Sequence, residues 1–297
     1  MIKVLDLKFQ GLDKSIAAFL IDTSAGPILI ETGPHSCLPQ LESELEKAGV
    51  KKEDISHVFL THIHLDHAGA AWAFAEAGAM IHLHPFGSRH MADPSKLMVS
   101  ARRIYQDRMD TLWGEMRAIP EKQLLTAEDN EVVSVGNTRV TALHTPGHAV
   151  HHIAWQIDDV LFAGDVAGVK IADGPAVPPC PPPDIYLEYW IASINRIRTL
   201  DLRSMYLTHY GEVKGNEIPE HLQTLEEMLW DWANWIKPYY EKNADPAAVA
   251  PVFQAYADQQ LRDAGLSEST IRQYDAANPA WMSVAGLMRY WRKRSSQ

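Results

Sequence analysis

This sequence has few of the features that mark secreted or membrane-spanning proteins. It contains two cysteines in 297 residues, Cys37 and Cys180, which are too few and too far apart for a disulfide framework. No apolar run approaches the length of a transmembrane helix. Residues 1–8 carry charges inside their apolar run and lack a small-residue cleavage site, unlike a signal peptide. We therefore expect a cytoplasmic protein without a membrane partner.

Positive charge is also scarce. The chain has 27 Lys and Arg against 38 Asp and Glu, a net charge of −11, and its longest basic run is residues 292–294. Proteins that bind nucleic acid need basic surfaces to neutralise phosphates. The composition therefore argues against a nucleic-acid partner and disfavours a nuclease.

One segment, residues 61–67, concentrates metal-binding side chains. It places His62, His64, Asp66 and His67 within six positions, and imidazole and carboxylate are preferred ligands of divalent transition metals. An apolar run predicted as a strand precedes the segment, and an Ala-rich run predicted as a helix follows it. On such a turn the first two histidines can face one point and the last two ligands a neighbouring point. The segment therefore predicts two metal sites.

Later apolar runs lead into further ligand-type residues. Three predicted strands are each followed within a few positions by His or Asp: His148, Asp165 and His209. Loops at strand ends are where a rigid scaffold usually carries its chemistry. We expect these residues to complete the metal sites.

The order H-x-H-x-D-H, T-P-G-H, G-D and a late His resembles the metallo-β-lactamase-fold superfamily over residues 1 to about 214. This resemblance implies an α/β fold of the αββα sandwich type and two metals joined by a carboxylate. The resemblance implies that His62, His64 and His148 bind the first metal. It implies that Asp66, His67 and His209 bind the second metal and that Asp165 bridges the two.

Such a site predicts hydrolysis. Two divalent ions, Zn²⁺ in first place with Fe or Mn as alternatives, would share a bridging hydroxide that attacks a carbonyl carbon. Asp66 would orient the hydroxide and carry a proton to the leaving group. We predict a hydrolase of a small-molecule ester, thioester or lactone, nearest in layout to glyoxalase II-type enzymes. Where lactonases of this fold commonly carry Tyr, three residues after the bridging Asp, this chain has Gly168.

Other functions stay open at this point. Some relatives keep the same motif but use one metal, so a mononuclear iron dioxygenase acting on persulfides is the alternative. A weakly catalytic binding or regulatory protein with a structural metal is a third hypothesis. An open coordination position, which a catalytic site needs, cannot be seen in a sequence.

Several polar residues near the motifs are predicted to support the site rather than bind metal. Glu31, in a Glu-Thr-Gly signature, is expected to organise a turn or a ligand. The alternating pair His82 and His84 is expected to be structural. Three further histidines crowd the loop of His148 and are expected to orient ligands: His144, His151 and His152.

The chain is predicted to divide into a catalytic domain, residues 1–214, and a helical domain, residues 215–297. In the second part, an apolar stripe over 222–239 predicts a long helix, and Ser267 is a predicted N-cap of a later helix. The Trp-rich stripe is expected to pack within the chain, with a homodimer interface as the alternative.

Two segments are expected beside the site. Residues 86–118 are predicted as helical, either covering the site or packing in the core, with Trp113 and four Met suited to a pocket wall. Residues 174–184 contain six prolines and predict a stiff surface loop that borders the pocket. Asp184 is the predicted N-cap of the next helix.

Overall fold

The computed structural model describes residues 1–295. The strands among these residues are β1 (Ile2–Asp6), β2 (Ala17–Thr23), β3 (Gly26–Ile30), β4 (His57–Phe59), β5 (Met80–Leu83), β6 (Leu124–Thr126), β7 (Val132–Val135), β8 (Thr138–His144), β9 (Ile153–Ile157), β10 (Val160–Phe162), β11 (Ser204–Leu207) and β12 (Gly211–Lys214). The α-helices are α1 (Leu38–Lys47), α2 (Leu65–Ala68), α3 (Ala71–Glu76), α4 (Pro85–Ala92), α5 (Ser95–Tyr105), α6 (Met109–Leu112), α7 (Leu187–Arg198), α8 (Ile218–Glu241), α9 (Pro246–Asp263), α10 (Glu268–Ala277) and α11 (Ala280–Arg294).

Two six-stranded sheets form the centre of the fold, in the orders β1-β2-β3-β4-β5-β6 and β12-β11-β10-β9-β8-β7. Successive residues of a strand face opposite sides of a sheet. In β2, Phe19 therefore packs between the sheets against Phe162 of β10, whereas Leu20 packs outward. Each sheet thus has an apolar surface on both faces.

Helices cover both outer faces. The first sheet packs against α1, α3 and α4 through one apolar cluster, and the second sheet packs against α7 and the C-terminal helices through another. The resulting order of layers is helix, sheet, sheet, helix. The predicted αββα sandwich with a helical C-terminal region is confirmed.

Strand directions bring the loops of interest to one edge within each sheet. β3 and β4 run parallel, as do β10 and β11. β8 is antiparallel to β9, which is antiparallel to β10, so β8 and β10 point the same way. The segments after β4, β8, β10 and β11 carry the predicted ligands, which explains how residues distant in sequence meet.

The C-terminal helices pack on the sandwich. Along the apolar stripe of α8, Leu222, Leu225, Leu229 and Ile236 are fully buried in the same cluster as the second sheet. Ser267 Oγ accepts a hydrogen bond from Thr270 N at 3.3 Å at the start of α10, which confirms the predicted cap. The division into two domains and the homodimer stay predictions. No helix in residues 1–295 combines the length and the apolar character needed to cross a bilayer.

The proline-rich segment differs from its prediction. It borders the cavity described below, as expected, but Val177, Pro179 and Cys180 are buried, so it is not a surface loop. Its cover is α11, which approaches so closely that a Cβ on Gly286 would lie 2.0 Å from the Cys180 carbonyl oxygen.

The helix after this segment also starts later than predicted. α7 begins at Leu187, Tyr186 is its N-cap, and no side chain caps it. The predicted cap, Asp184, instead lies 3.4 Å from Lys293 Nζ in an ion pair with α11. The carboxylate is therefore used to attach the C-terminal helix.

Candidate metal centre

The loops after β4 and β8 bring three imidazoles together. His64 Nδ1 lies 2.9 Å from His62 Nε2 and 3.0 Å from His148 Nε2. A single ring nitrogen carries either one proton or one lone pair, so it cannot pair well with two others at once. Nitrogens bound to a tetrahedral Zn²⁺ at about 2.0–2.1 Å lie roughly 3.3 Å apart. The three nitrogens therefore have the spacing of a metal site.

A second group of ligand atoms lies beside the first. His67 Nε2 is 3.7 Å from Asp66 Oδ2, and His209 Nε2 is 3.5 Å from the same oxygen. Both ring nitrogens are buried and lack a hydrogen-bond partner among residues 1–295. Buried polar atoms without partners are costly. Their convergence fits a cation that would satisfy them.

Asp165 connects the two groups. Its Oδ1 lies 3.3 Å from His67 Nε2 and 3.6 Å from His209 Nε2, while its Oδ2 lies 3.4 Å from His148 Nε2. One carboxylate oxygen thus faces each group. All seven residues predicted as ligands are brought together in these two groups, and the donor set fits two divalent ions that share a carboxylate.

Residues 12–209, which include all seven of these residues, match the model of the family described as Metallo-beta-lactamase superfamily. The chain belongs to this superfamily. The match confirms the predicted family and enzyme class, whereas the likeness in layout to glyoxalase II stays a prediction.

Members of the superfamily with related sequences include two named hydrolases. Metallo-beta-lactamase fold-containing protein ST1585 of Sulfurisphaera tokodaii is 28% identical over 177 residues, 58% of this chain and 67% of that protein. An N-acyl homoserine lactonase of Bacillus sp is 25% identical over 229 residues, 67% of this chain and 82% of that protein. An atrochrysone carboxyl ACP thioesterase of Aspergillus fumigatus is 27% identical over 194 residues, 64% of this chain and 49% of that protein.

A solved superfamily structure shares the fold over nearly the whole chain. Metallo-beta-lactamase family protein TTHA1429 of Thermus thermophilus superposes with a TM-score of 0.67 at 20% identity, covering 99% of this chain and 94% of that one. The coverage extends the shared fold beyond the sandwich to the C-terminal helices.

Electrostatics keep the first group of imidazoles neutral. Burial and the neighbouring His148 lower the pKa of His64 to about 3, and burial with the surrounding histidines lowers the pKa of His62. Burial alone would raise the pKa of Asp66, but His67 and His209 lower it to about 2. Neutral imidazoles and ionised carboxylates are the forms that bind metal.

Hydrogen bonds on the far side of each ring fix its orientation. His148 Nδ1 donates to the Pro179 carbonyl oxygen at 2.8 Å, and His209 Nδ1 donates to the Ser15 carbonyl oxygen at 2.7 Å. Each bond leaves the Nε2 lone pair directed at the centre. The sequence could not reveal these partners, since a backbone carbonyl belongs to every residue.

Glu31 orients a third histidine. Its Oε1 lies 3.0 Å from His67 Nδ1, and it accepts hydrogen bonds from the Thr61 hydroxyl and, at 3.4 Å, from the Thr208 hydroxyl. It belongs to neither group of candidate ligands. This position agrees with the expectation that it organises the site.

We expect Glu31→Gln to weaken metal affinity about 10- to 100-fold, as is typical when a carboxylate behind a metal-binding histidine is lost. The neutral amide would no longer stabilise the His67 ring in its metal-binding orientation. Competition with a fluorescent chelator measures the affinity. Glu46→Gln, an exposed position on α1, is the matched control, and equal affinities in both variants would contradict the assignment.

The three histidines expected to orient ligands form no hydrogen bond with a candidate ligand among residues 1–295, so that expectation is wrong. His152 Nδ1 lies 2.8 Å from the Thr145 hydroxyl, and His144 Nε2 lies 2.9 Å from the Ala127 carbonyl oxygen. His82 pairs with His57 at 2.8 Å. His84 caps α4, and His151 lines the cavity described next.

A cavity of about 620 Å³ lies over the two groups of ligands. Asp66, His148, Asp165 and His209 contribute to its lining, and most of the other lining residues are apolar. Its volume is that of a pocket for a drug-sized molecule. The wall includes residues from α4 and α5, so the segment 86–118 covers the centre.

The predicted methionine wall is only partly correct. Trp113 lines the cavity, but the four methionines of this segment lie outside its lining. Met91 and Met109 are fully buried in the apolar cluster that the first sheet shares with its helices. The segment therefore both covers the site and packs in the core.

Proposed function

We propose that this chain hydrolyses a small ester, thioester or lactone with the help of two divalent metal ions, Zn²⁺ in first place. The observation that carries the proposal is the position of Asp165, which directs one oxygen to each group of ligand atoms. A single metal would need only one of these groups. The orphaned ring nitrogens of His67 and His209 support a second metal.

The two ions, when bound, supply a water of lowered pKa and polarise the scissile carbonyl. The residues of the chain hold and align the reacting groups. Asp66 reaches the cavity with 21% of its side chain exposed. Since its pKa is about 2, it is ionised at neutral pH and is placed to accept a proton at the reacting end. The mostly apolar lining suits the acyl part of a substrate.

The relatives support this class of reaction. A lactonase and a thioesterase both act on acyl groups bonded to oxygen or sulfur, and this chain has the same fold and family. The net charge of −11 supports a small-molecule substrate rather than nucleic acid. A cytoplasmic location stays a prediction, consistent with two buried, unpaired cysteines.

Elemental analysis of protein purified without added metal, together with a panel of esters, thioesters and lactones, tests the proposal. We expect about two metals per chain and hydrolysis that is lost on chelation and in His64→Ala. One iron per chain, with oxygen uptake on a persulfide and no hydrolysis of the panel, would replace the proposal with the dioxygenase.

A further inference from the structure

One end of the cavity opening is cationic. Arg89 and His90 of α4 and Lys96 of α5 all line the cavity, and Arg89 and Lys96 are exposed. Arg89 Nε donates to His90 Nε2 at 3.3 Å. Burial and the charges of Arg89 and Lys96 lower the pKa of His90, so both charges act on the same imidazole. We call these three residues the cationic rim, and its positive charge is that of Arg89 and Lys96.

The cationic rim contrasts with the rest of this acidic chain. Neither Arg89 nor Lys96 forms an ion pair within 4.0 Å among residues 1–295. Asp93 faces Lys96, but it does not line the cavity and its carboxylate accepts a hydrogen bond from Ser95 N at 3.1 Å. Apart from the candidate metal ligands, the acidic side chain of the described lining is Asp184, which pairs with Lys293 at 3.4 Å, and Arg108 adds a further exposed cation to the lining. The opening therefore favours an anionic group.

α5 connects the cationic rim with the reacting end. Two rows of α5 side chains, with a spacing of four residues, run along the cavity: Lys96, Ser100 and Ile104 on the exposed side, and Leu97, Ala101 and Tyr105 on the inner side. This spacing keeps each row on one helix face. A ligand along α5 would pass over mainly apolar side chains.

Tyr105 marks the end of α5 at the metal centre. Its ring packs edge-on against Trp113 at 5.1 Å, and burial together with the charge of Asp66 raises the pKa of its hydroxyl. Among the described residues, its hydroxyl donates only to the Met282 thioether, at 3.3 Å. A thioether is a weak acceptor. From Lys96 to Tyr105 the helix spans about 14 Å at 1.5 Å per residue.

We infer that the cationic rim binds an anionic group, phosphate in first place, on the leaving group of an acyl thioester. The inference rests on the proposed hydrolase function. An Arg guanidinium beside a Lys ammonium suits phosphate recognition. Hydrolysis would form the acyl carbon–oxygen bond to water, break the carbon–sulfur bond, and release a carboxylic acid and the phosphate-bearing thiol without a redox partner.

The separation along α5 restricts this leaving group. About 14 Å corresponds to roughly a dozen bonds of extended chain, at about 3.5 Å for every three bonds. A phosphopantetheine arm, on coenzyme A or on a carrier protein, has a spacer of this size between sulfur and phosphate. The carboxylates of glutathione lie closer to its sulfur, and a lactone has no separate leaving group.

Binding of two matched ligands to the metal-loaded protein tests the subsite. S-hexyl-coenzyme A carries phosphates, whereas S-hexyl-N-acetylcysteamine has the same thioether end and no charge, and neither contains a thioester bond. We expect Arg89→Gln/Lys96→Gln to raise the Kd of the first about tenfold, or about 1.4 kcal/mol, and to leave the second unchanged. Added salt should weaken binding of S-hexyl-coenzyme A to the wild type but not to the double variant.

Arg103→Gln is the control, since Arg103 is an exposed residue of α5 that does not line the cavity. Equal weakening in the control, or of both ligands in the double variant, would overturn the subsite. Hydrolysis of the hexanoyl thioesters then separates the two proposals. Binding of the coenzyme A ligand through the cationic rim without hydrolysis of any ester, thioester or lactone of the panel supports the subsite and contradicts the hydrolase. Hydrolysis of both thioesters without a preference for the coenzyme A thioester supports the hydrolase and contradicts the subsite.

The same hexanoyl group on coenzyme A and on a phosphopantetheinylated carrier protein distinguishes the two sources of phosphate. The inference expects at least one to be hydrolysed with a higher kcat/KM than the neutral thioester. If neither exceeds the neutral thioester, the subsite is overturned.

Discussion

Asp165→Asn is expected to reduce kcat/KM at least about 10³-fold, a larger loss than the 10- to 100-fold typical of residues behind the ligands. The change removes a negative charge between the two groups. It also replaces one of two acceptor oxygens by an amide nitrogen, so the side chain can no longer face His148 and His67 with an acceptor on each side. We expect metal content to fall from about two per chain to about one or fewer.

Elemental analysis and steady-state kinetics on the same preparation measure both effects. Asp173→Asn is a suitable control because Asp173 is an exposed carboxylate eight positions further along the chain. Full metal content and normal hydrolysis in Asp165→Asn would show that Asp165 does not join the two sites.

Gly286→Ala is expected to lower the free energy of unfolding by about 3 kcal/mol, near the upper end of the usual cost of overpacking. The added Cβ would lie 2.0 Å from the Cys180 carbonyl oxygen, which is backbone and cannot rotate away. α11 would have to move off the proline-rich segment. Urea unfolding followed by circular dichroism measures the change.

Whether Gly286→Ala lowers or raises the free energy of unfolding is the main test of the close contact between α11 and the proline-rich segment. In a helix without such a contact, replacing Gly by Ala increases stability by about 1 kcal/mol. Ala285→Gly, at the adjacent half-buried position of α11, calibrates that propensity and should cost a similar amount. A more stable Gly286→Ala protein would mean that the helix and the proline-rich segment are further apart.

The candidate metal ligands could be recognised in the sequence because their signal is local. Asp165 and His209 each lie within three residues of the end of an apolar strand, and short strands followed by His or Asp can be recognised in a single sequence. The sandwich then brings these ends together. The number of metals and the substrate lie outside what such a pattern determines.

The prediction failed where one segment depends on another far along the chain. Prolines and glycine favour an exposed loop, but Cys180 is buried against α11, about a hundred residues later. The same holds for Met91, whose helical spacing does not say which face meets the sheet. Asp184 has the residue type of a cap, but its partner is Lys293. Local propensity is a weak guide when tertiary contacts decide.

The proline-rich segment joins the C-terminal helices to a candidate metal ligand. On one side, Cys180 N donates to Ser283 Oγ of α11 at 3.4 Å, and Asn278 Nδ2 donates to the Pro178 carbonyl oxygen at 3.1 Å. On the other side, the Pro179 carbonyl oxygen holds His148 Nδ1. We therefore expect metal occupancy and helix docking to be coupled, and such coupling is reciprocal. Conditions that detach the helices should also weaken metal binding, and a chelator should make the C-terminal helices, residues 218–294, easier to cleave.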